Sequence, residues 1–405
     1  MLVNAFYYKD DNKGRIQMRL TGTSAVGLRL PIISPGDDLV SIVADHVLKA
    51  TEDAQLTSND IVAVTEAVVA KAECNYATTD DVAADIKAKF GEAEIGLVYP
   101  ILSRNRFFNI LKGIAAGAKK VHILLSYPAD EVGNPVMDID KLDDVIDKIG
   151  GRMVGAAEFA EYAGRFLHPF TNVDYVKLYE DVADNISVYF SNNPRDILQV
   201  AKNILVGEIH SRNRTKARLL KAGAEKVYTL SDILSGSING SGFNSKYGVL
   251  GSNYSSGSKL KLFPNNAPRF VQQLQDRLYE KTGSRPEVLV YGDGAFKDSV
   301  CGIWELADPC VSPGFTKRLG GQPYELKIKL VADELFGDLK GEEKQKAITQ
   351  MIKDKKTKPD EYREGTTPRI YADLVGSLCD LISGSGDKGT PVVLIRGYFD
   401  DYSVQ

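Results

Sequence analysis

Residues 96–125 read GLVYPILSRNRFFNILKGIAAGAKKVHILL, and the fold turns on how this run divides. GLVYP (96–100) has the length and apolar character of a buried strand, as does KVHILLSY (120–127). The periodic apolar stretch between them predicts a helix that closes on Ala116, Gly117 and Ala118. Strand, helix, strand is the order of α/β layering. The tetrapeptide Ser103-Arg104-Asn105-Arg106 stands at the mouth of that helix and recurs as Ser211-Arg212-Asn213-Arg214. The second copy again precedes a helix-like stretch, an Ala222-Gly223-Ala224 turn and a strand, KVYTL. In both turns the glycine is expected to end its helix in a left-handed conformation. Serine caps helices well, and the free amides of a helix start attract anions. Two arginines in a first turn oppose the helix dipole. Two readings stay open: the arginines bind an anionic substrate, or they contact acidic neighbours within duplicated α/β units.

On the N-terminal side, SPGDDLVSIVADHVL (34–48) places Leu39, Ile42, Val43 and Val47 on one face of a capped helix. DIVAV (60–64) predicts a strand, with TEAVVAKAE (65–73) continuing from its end. On the C-terminal side, residues 232–258 are rich in Gly, Ser and Asn, interrupted by Phe243, Tyr247, Val249 and Leu250. Such a stretch is a flexible linker or a loop whose backbone approaches a ligand. Asn266 and Pro268 open a helix with Phe270, Val271, Leu274 and Leu278 inward and Gly283 at its end. PEVLVY (286–291) predicts a buried strand, and the charged stretch 337–364 an exposed helix and loop. A helix and the strand TPVVLIRG (390–397) close the pattern.

A chain of 405 residues exceeds one ordinary core, so two or three structural units are expected. With 43% hydrophobic and 26% charged residues and a net charge of −4, it does not read as a nucleic-acid binder. No apolar run has the length of a membrane span, and the N-terminus lacks the pattern of a signal peptide. Cys74, Cys301, Cys310 and Cys379 lie far apart, which argues against a disulfide framework and for a cytoplasmic location. The scattered histidines, with His46 in a helix and His122 in a strand, read as structural residues.

Chemistry therefore falls to carboxylates, amides and cations. Asp293 and Asp298 flank a turn, GDGAFKD, at the end of a buried strand, where α/β proteins usually place ligands. They read either as metal or acid/base carboxylates or as an Asp-Gly turn. Lys71 is either a cation facing a phosphate or a snorkelling surface lysine. Arg396, at the end of an apolar strand, has the same two readings, though an arginine in that place often needs a carboxylate or phosphate partner.

In order, LRLPIISPGDDL (28–39), DIVAVTEAVVAKAE (60–73), YGVLGSN (247–253), VLVYGDG (288–294) and the closing ADLVGSLCDLISGSGDKGTPVVLIRG (372–397) resemble the coenzyme F-420 glutamate ligase family. Its members add γ-linked glutamate to a deazaflavin precursor with GTP and divalent metal. The resemblance lies at the two ends of the chain and implies nucleotide contacts at Leu30, Pro31, Ile32, Ile33, Glu66, Ala67, Lys71 and Asn253. It implies metal at Asp293, but Leu250 and Gly294 replace two of the family's ligands, and the last corresponds approximately to Ser385. An apolar Leu cannot coordinate a hard cation.

The expected fold is a mixed α/β or α+β ligase-like core formed by residues 1–95 and 233–405, with residues 96–232 as an inserted α/β unit. The expected function is a GTP- or ATP-dependent ligase that joins a glutamate-like amine to a carboxylate, with magnesium or manganese as the implied metal. Asp293 and Asp298 would serve catalysis, and Arg104 and Arg106, or Arg212 and Arg214, an anionic substrate. The alternative is a protein on the same scaffold that binds a nucleotide or anionic metabolite without turning it over. The resemblance also implies a homodimer; neither nucleic acid nor membrane is an expected partner.

Overall fold

The computed structural model describes residues 21–52, 55–169, 171–292, 310–355, 369–382 and 387–403. The apolar runs near 61, 288 and 393 form the centre of a five-stranded sheet. Its order is β1 (Ser24–Leu28), β14 (Val392–Arg396), β2 (Ile61–Thr65), β12 (Glu287–Tyr291) and β13 (Gly314–Phe315). β2 and β12 run parallel, with Thr65 opposite Tyr291, while β14 is antiparallel to both β1 and β2. Alternation along these strands divides their side chains between two buried faces. Val62, Val64, Val288, Val290, Val392 and Leu394 pack with residues of α1 (Leu39–Ala50) and α9 (Ala267–Thr282). Ile61, Ala63, Leu289, Tyr291, Val393 and Ile395 pack with α12 (Tyr371–Ile382). The cap of α1 is Asp38, whose side chain accepts the Ser41 N–H at 3.1 Å. α9 buries Phe270, Val271, Leu274 and Leu278 and ends at a left-handed Gly283, as its sequence predicts.

The second sheet has six strands, in the order β6 (Val154–Gly155), β7 (Ile186–Phe190), β5 (Lys120–Leu125), β4 (Glu94–Val98), β8 (Asn203–Val206) and β9 (Lys226–Thr229). All pairs are parallel except that of β6 with β7. The chain lays down β4, β5 and β7 outward in one direction, then returns to place β8 and β9 on the other side of β4. The strand order thus reverses between β4 and β8. Each of these strands leads to one SRNR tetrapeptide and a helix, α4 (Phe107–Gly117), which follows its tetrapeptide, or α8 (Arg212–Lys221), which begins within its own. Between β5 and β7 lie α5 (Leu142–Ile149), α6 (Ala156–Ala163) and α7 (Tyr175–Glu180). Val82, Ile86 and Phe90 of α3 (Thr79–Phe90) share the apolar cluster of this sheet.

The two glycine turns end their helices differently. Gly223 has φ +95° and is left-handed, as expected. Gly117 is still helical, and the next residue, Ala118, is extended. A Cβ on Gly117 would lie 2.5 Å from the Ala83 carbonyl oxygen, so this glycine serves the close approach of α3 to α4. A third sheet, β10 (Asn253–Ser256), β11 (Lys259–Lys261) and β3 (Tyr76–Thr78), is antiparallel throughout. A short turn, α10 (Ile328–Leu330), precedes the charged stretch, in which α11 (Gly341–Lys353) buries Ile348, Met351 and Ile352 near Val331.

Candidate functional site

β2 ends at Thr65, and the next residue, Glu66, begins α2 (Glu66–Ala72). A carboxyl end of a parallel pair in an α/β sheet is a common place for ligands. The Glu66 carboxylate receives two hydrogen bonds from Lys261 Nζ, at 2.7 and 2.9 Å. These side chains are 7% and 13% exposed, respectively. Lys261 stands opposite Asn253 on one neighbouring strand and Tyr76 on the other. Residues directly opposite one another in an antiparallel pair project from the same face. The other face carries Ala77 and Leu260, both buried in the apolar cluster of the six-stranded sheet. The three-stranded sheet is therefore a partition, with its apolar side against the second sheet and its polar side, through Lys261, against the end of β2.

Lys261 was not anticipated from the sequence. Its signal was the alternation Lys259-Leu260-Lys261-Leu262, the period of a half-buried strand. Of the residues expected at the nucleotide, Glu66 and Asn253 meet here, on either side of Lys261. Lys71 is half-buried on α2, and neither its ammonium nor the Asn253 carboxamide has a hydrogen-bonding partner among the described residues. In the opening segment Ile33 is buried with Val69 of α2, Leu30 is half-buried, Pro31 is exposed and Ile32 is 90% exposed. The Gly36 N–H donates to the Ala72 carbonyl at 2.9 Å, fastening this segment to the end of α2. Burial raises the pKa of Tyr76, against a hydrogen bond with Ser255. Asp293, Asp298, Gly294 and Ser385 lie outside the described residues; β12 stops at Tyr291, two positions before Asp293.

The first SRNR loop joins this region directly. The Asn105 carbonyl accepts the Tyr254 N–H of β10 at 2.8 Å. Its other backbone groups are held from within: the Leu102 amide donates to Asp130 (2.7 Å), the Ser103 amide to the Tyr179 hydroxyl (2.9 Å) and the Arg106 amide to Ser103 Oγ (3.1 Å). Arg104 is exposed, while Arg106 flanks a crevice with Ile101, Leu250 and Ser252. At the second copy an anion is already present, and it belongs to the protein. The Glu131 carboxylate accepts the amides of Ile209 (2.7 Å), His210 (3.1 Å) and Ser211 (2.7 Å). Arg212 donates to the Ile209 carbonyl, and Arg214 is exposed. One loop after β5 thus supplies adjacent carboxylates to both copies. Asp130 also accepts from the Val132 amide, the Asn134 amide and Asn134 Nδ2. Burial raises its pKa to about 6 despite these bonds.

The Gly- and Ser-rich segment is fixed by Asn244, whose carboxamide donates to the Phe263 and Pro264 carbonyls and accepts the Lys246 and Tyr247 amides. Leu250 is 2% exposed, inside the apolar cluster of the second sheet. A leucine there fits its surroundings, and no oxygen ligand projects from that position. Among the described residues no three His, Cys, Asp or Glu side chains are grouped for a metal. Leu250 does not fit the family's metal arrangement; the other positions the resemblance implies, Asp293, Gly294 and Ser385, are not among the described residues. Arg396 lies 3.9 Å from Asp60, and His46 and His122 contact the Ile42 carbonyl and Glu94.

A family model described as F420-0:Gamma-glutamyl ligase matches residues 27–397. The matched range runs through the six-stranded unit that the sequence set apart as an insertion. No curated protein matches the chain.

Proposed function

The chain belongs to the F420-0:gamma-glutamyl ligase family, and from that premise we propose that it is a nucleotide-dependent ligase. It joins the amine of a glutamate-like amino acid to a carboxylate. The acceptor carboxylate oxygen attacks the terminal phosphorus of GTP or ATP, releasing the nucleoside diphosphate and leaving an acyl phosphate. The amine nitrogen then attacks the acyl carbon, inorganic phosphate departs, and the amine proton passes to a base. Lys71, Asn253 and the 30–33 segment hold the nucleotide in this reading, with Asp293 and Asp298 as the carboxylate candidates. Arg104 and Arg106 hold the anionic acceptor, since their loop is bonded to the strand that carries Asn253.

The observation that carries the reading, beyond family membership, is the pair of unpartnered donors, Lys71 and Asn253, on elements beside the carboxyl end of β2. Nucleoside diphosphate release that requires both glutamate and a carboxylate acceptor, matched by an amide product in mass spectrometry, is the expected result. The buried Leu250 favours a second reading, a protein that binds nucleotide or anionic metabolite without turnover. Tight nucleotide binding with no product against a panel of carboxylate acceptors would select it.

A further inference from the structure

The Glu66–Lys261 pair has no evident purpose as a source of stability. A buried ion pair often contributes no more than apolar residues of the same volume. What it does is hold an ammonium on the polar face of the three-stranded sheet, beside the carboxyl end of β2. Glu66 takes two of the three ammonium protons, one on each carboxylate oxygen. The remaining proton and the unpartnered Asn253 amide, directly across the strand pair, form a group of donors on one face. Phosphate oxygens are the acceptors such a group suits. One of the acidic metal ligands that the resemblance implies is replaced by Leu250, which is buried in an apolar cluster.

We propose that Lys261, oriented by Glu66, supplies the fixed positive charge that meets the phosphates of the nucleotide, so that nucleotide binds without a divalent cation. The proposal rests on the nucleotide-dependent reading above. Lys261 acts by direct contact, and Glu66 is a positioning residue that keeps the flexible lysine stem in place.

Isothermal titration of the full chain with GTP and with ATP, in EDTA and in magnesium chloride, tests it. The wild-type protein is expected to bind one of them in EDTA nearly as tightly as in magnesium. Lys261→Gln should weaken binding by more than about tenfold in both conditions, as loss of a charge-assisted bond predicts, while Lys261→Arg retains most of the affinity. Because Lys261→Gln takes away the ammonium that neutralises the buried Glu66 carboxylate, the double variant Glu66→Gln with Lys261→Gln is the companion. It should melt near wild type and show the same loss. A well-folded double variant that binds as wild type makes the pair structural and overturns the proposal, as does wild-type binding that appears only with magnesium. Wild-type protein that binds neither nucleotide in either condition overturns the nucleotide-dependent reading as well. That failure is distinct, because it is seen before any variant is compared.

Discussion

Asp130 gathers the amides of Leu102, Val132 and Asn134 and the Asn134 side chain on one half-buried carboxylate. Its folded pKa, about 6, lies above the ordinary 3.8, so the fold favours the protonated form. The stability gained from this group is complete below pH 3.8 and lost as pH rises through about 6. That change is worth up to roughly 3 kcal/mol. Asp130→Ala strands three amides and should cost about 3 kcal/mol at pH 4. The difference between the two proteins should then narrow towards pH 7. Urea titrations of both proteins at pH 4 and pH 7 measure it; a gap that widens with pH would reverse the assignment. Arg104→Gln with Arg106→Gln is expected to weaken acceptor binding by more than about tenfold. If that pair is structural instead, the melting temperature moves and affinity does not.

The helix starts and ends account for the repeated SRNR units without requiring that the copies do the same work. In α8 the arginines occupy the first turn, and Glu131 supplies the negative charge that offsets them. Glu131→Ala should lower stability by about 1–2 kcal/mol. Added inorganic phosphate should then raise the melting temperature of this variant more than that of wild type, because the vacated amides accept an anion. In α4 the helix begins only after the tetrapeptide, at Phe107. The glycines differ in the same way. Gly117→Ala drives a Cβ into the Ala83 carbonyl and should cost about 2–3 kcal/mol by forcing two helices apart. Gly223→Ala meets open space and should cost only about 1 kcal/mol for its left-handed backbone. Thermal melts of the two variants compare these costs side by side.

For the whole molecule, the resemblance that identified the ligase-like ends also leads us to expect a homodimer, and a twofold pair is the commonest oligomer. Light scattering at micromolar concentration should return about twice the 44.3 kDa of one chain. A value for a single chain would set the expectation aside. Among the described residues no helix is long and apolar enough to cross a membrane.

Periodicity, caps and glycine punctuation were enough to find the strands around 61, 288 and 393, the helix from Asn266 to Gly283, and the mixed α/β character. Each of these depends on neighbours within one or two turns of chain, which is the range sequence patterns report. The ordered motifs at the two ends identified the family for the same reason, since the family's signature is itself local. The site's arrangement depended on contacts far apart in the chain. Lys261 meets Glu66 across 195 residues, and Glu131 meets the second tetrapeptide across about 80. No local pattern distinguishes a carboxylate that caps a distant helix from one that faces water. Which glycine turns the chain and which lets two helices touch was equally invisible, because the sequence around both is Ala-Gly-Ala. Strand order, register and the reversal between β4 and β8 decided those matters, by choosing which side chains share a face and which backbone groups need a partner.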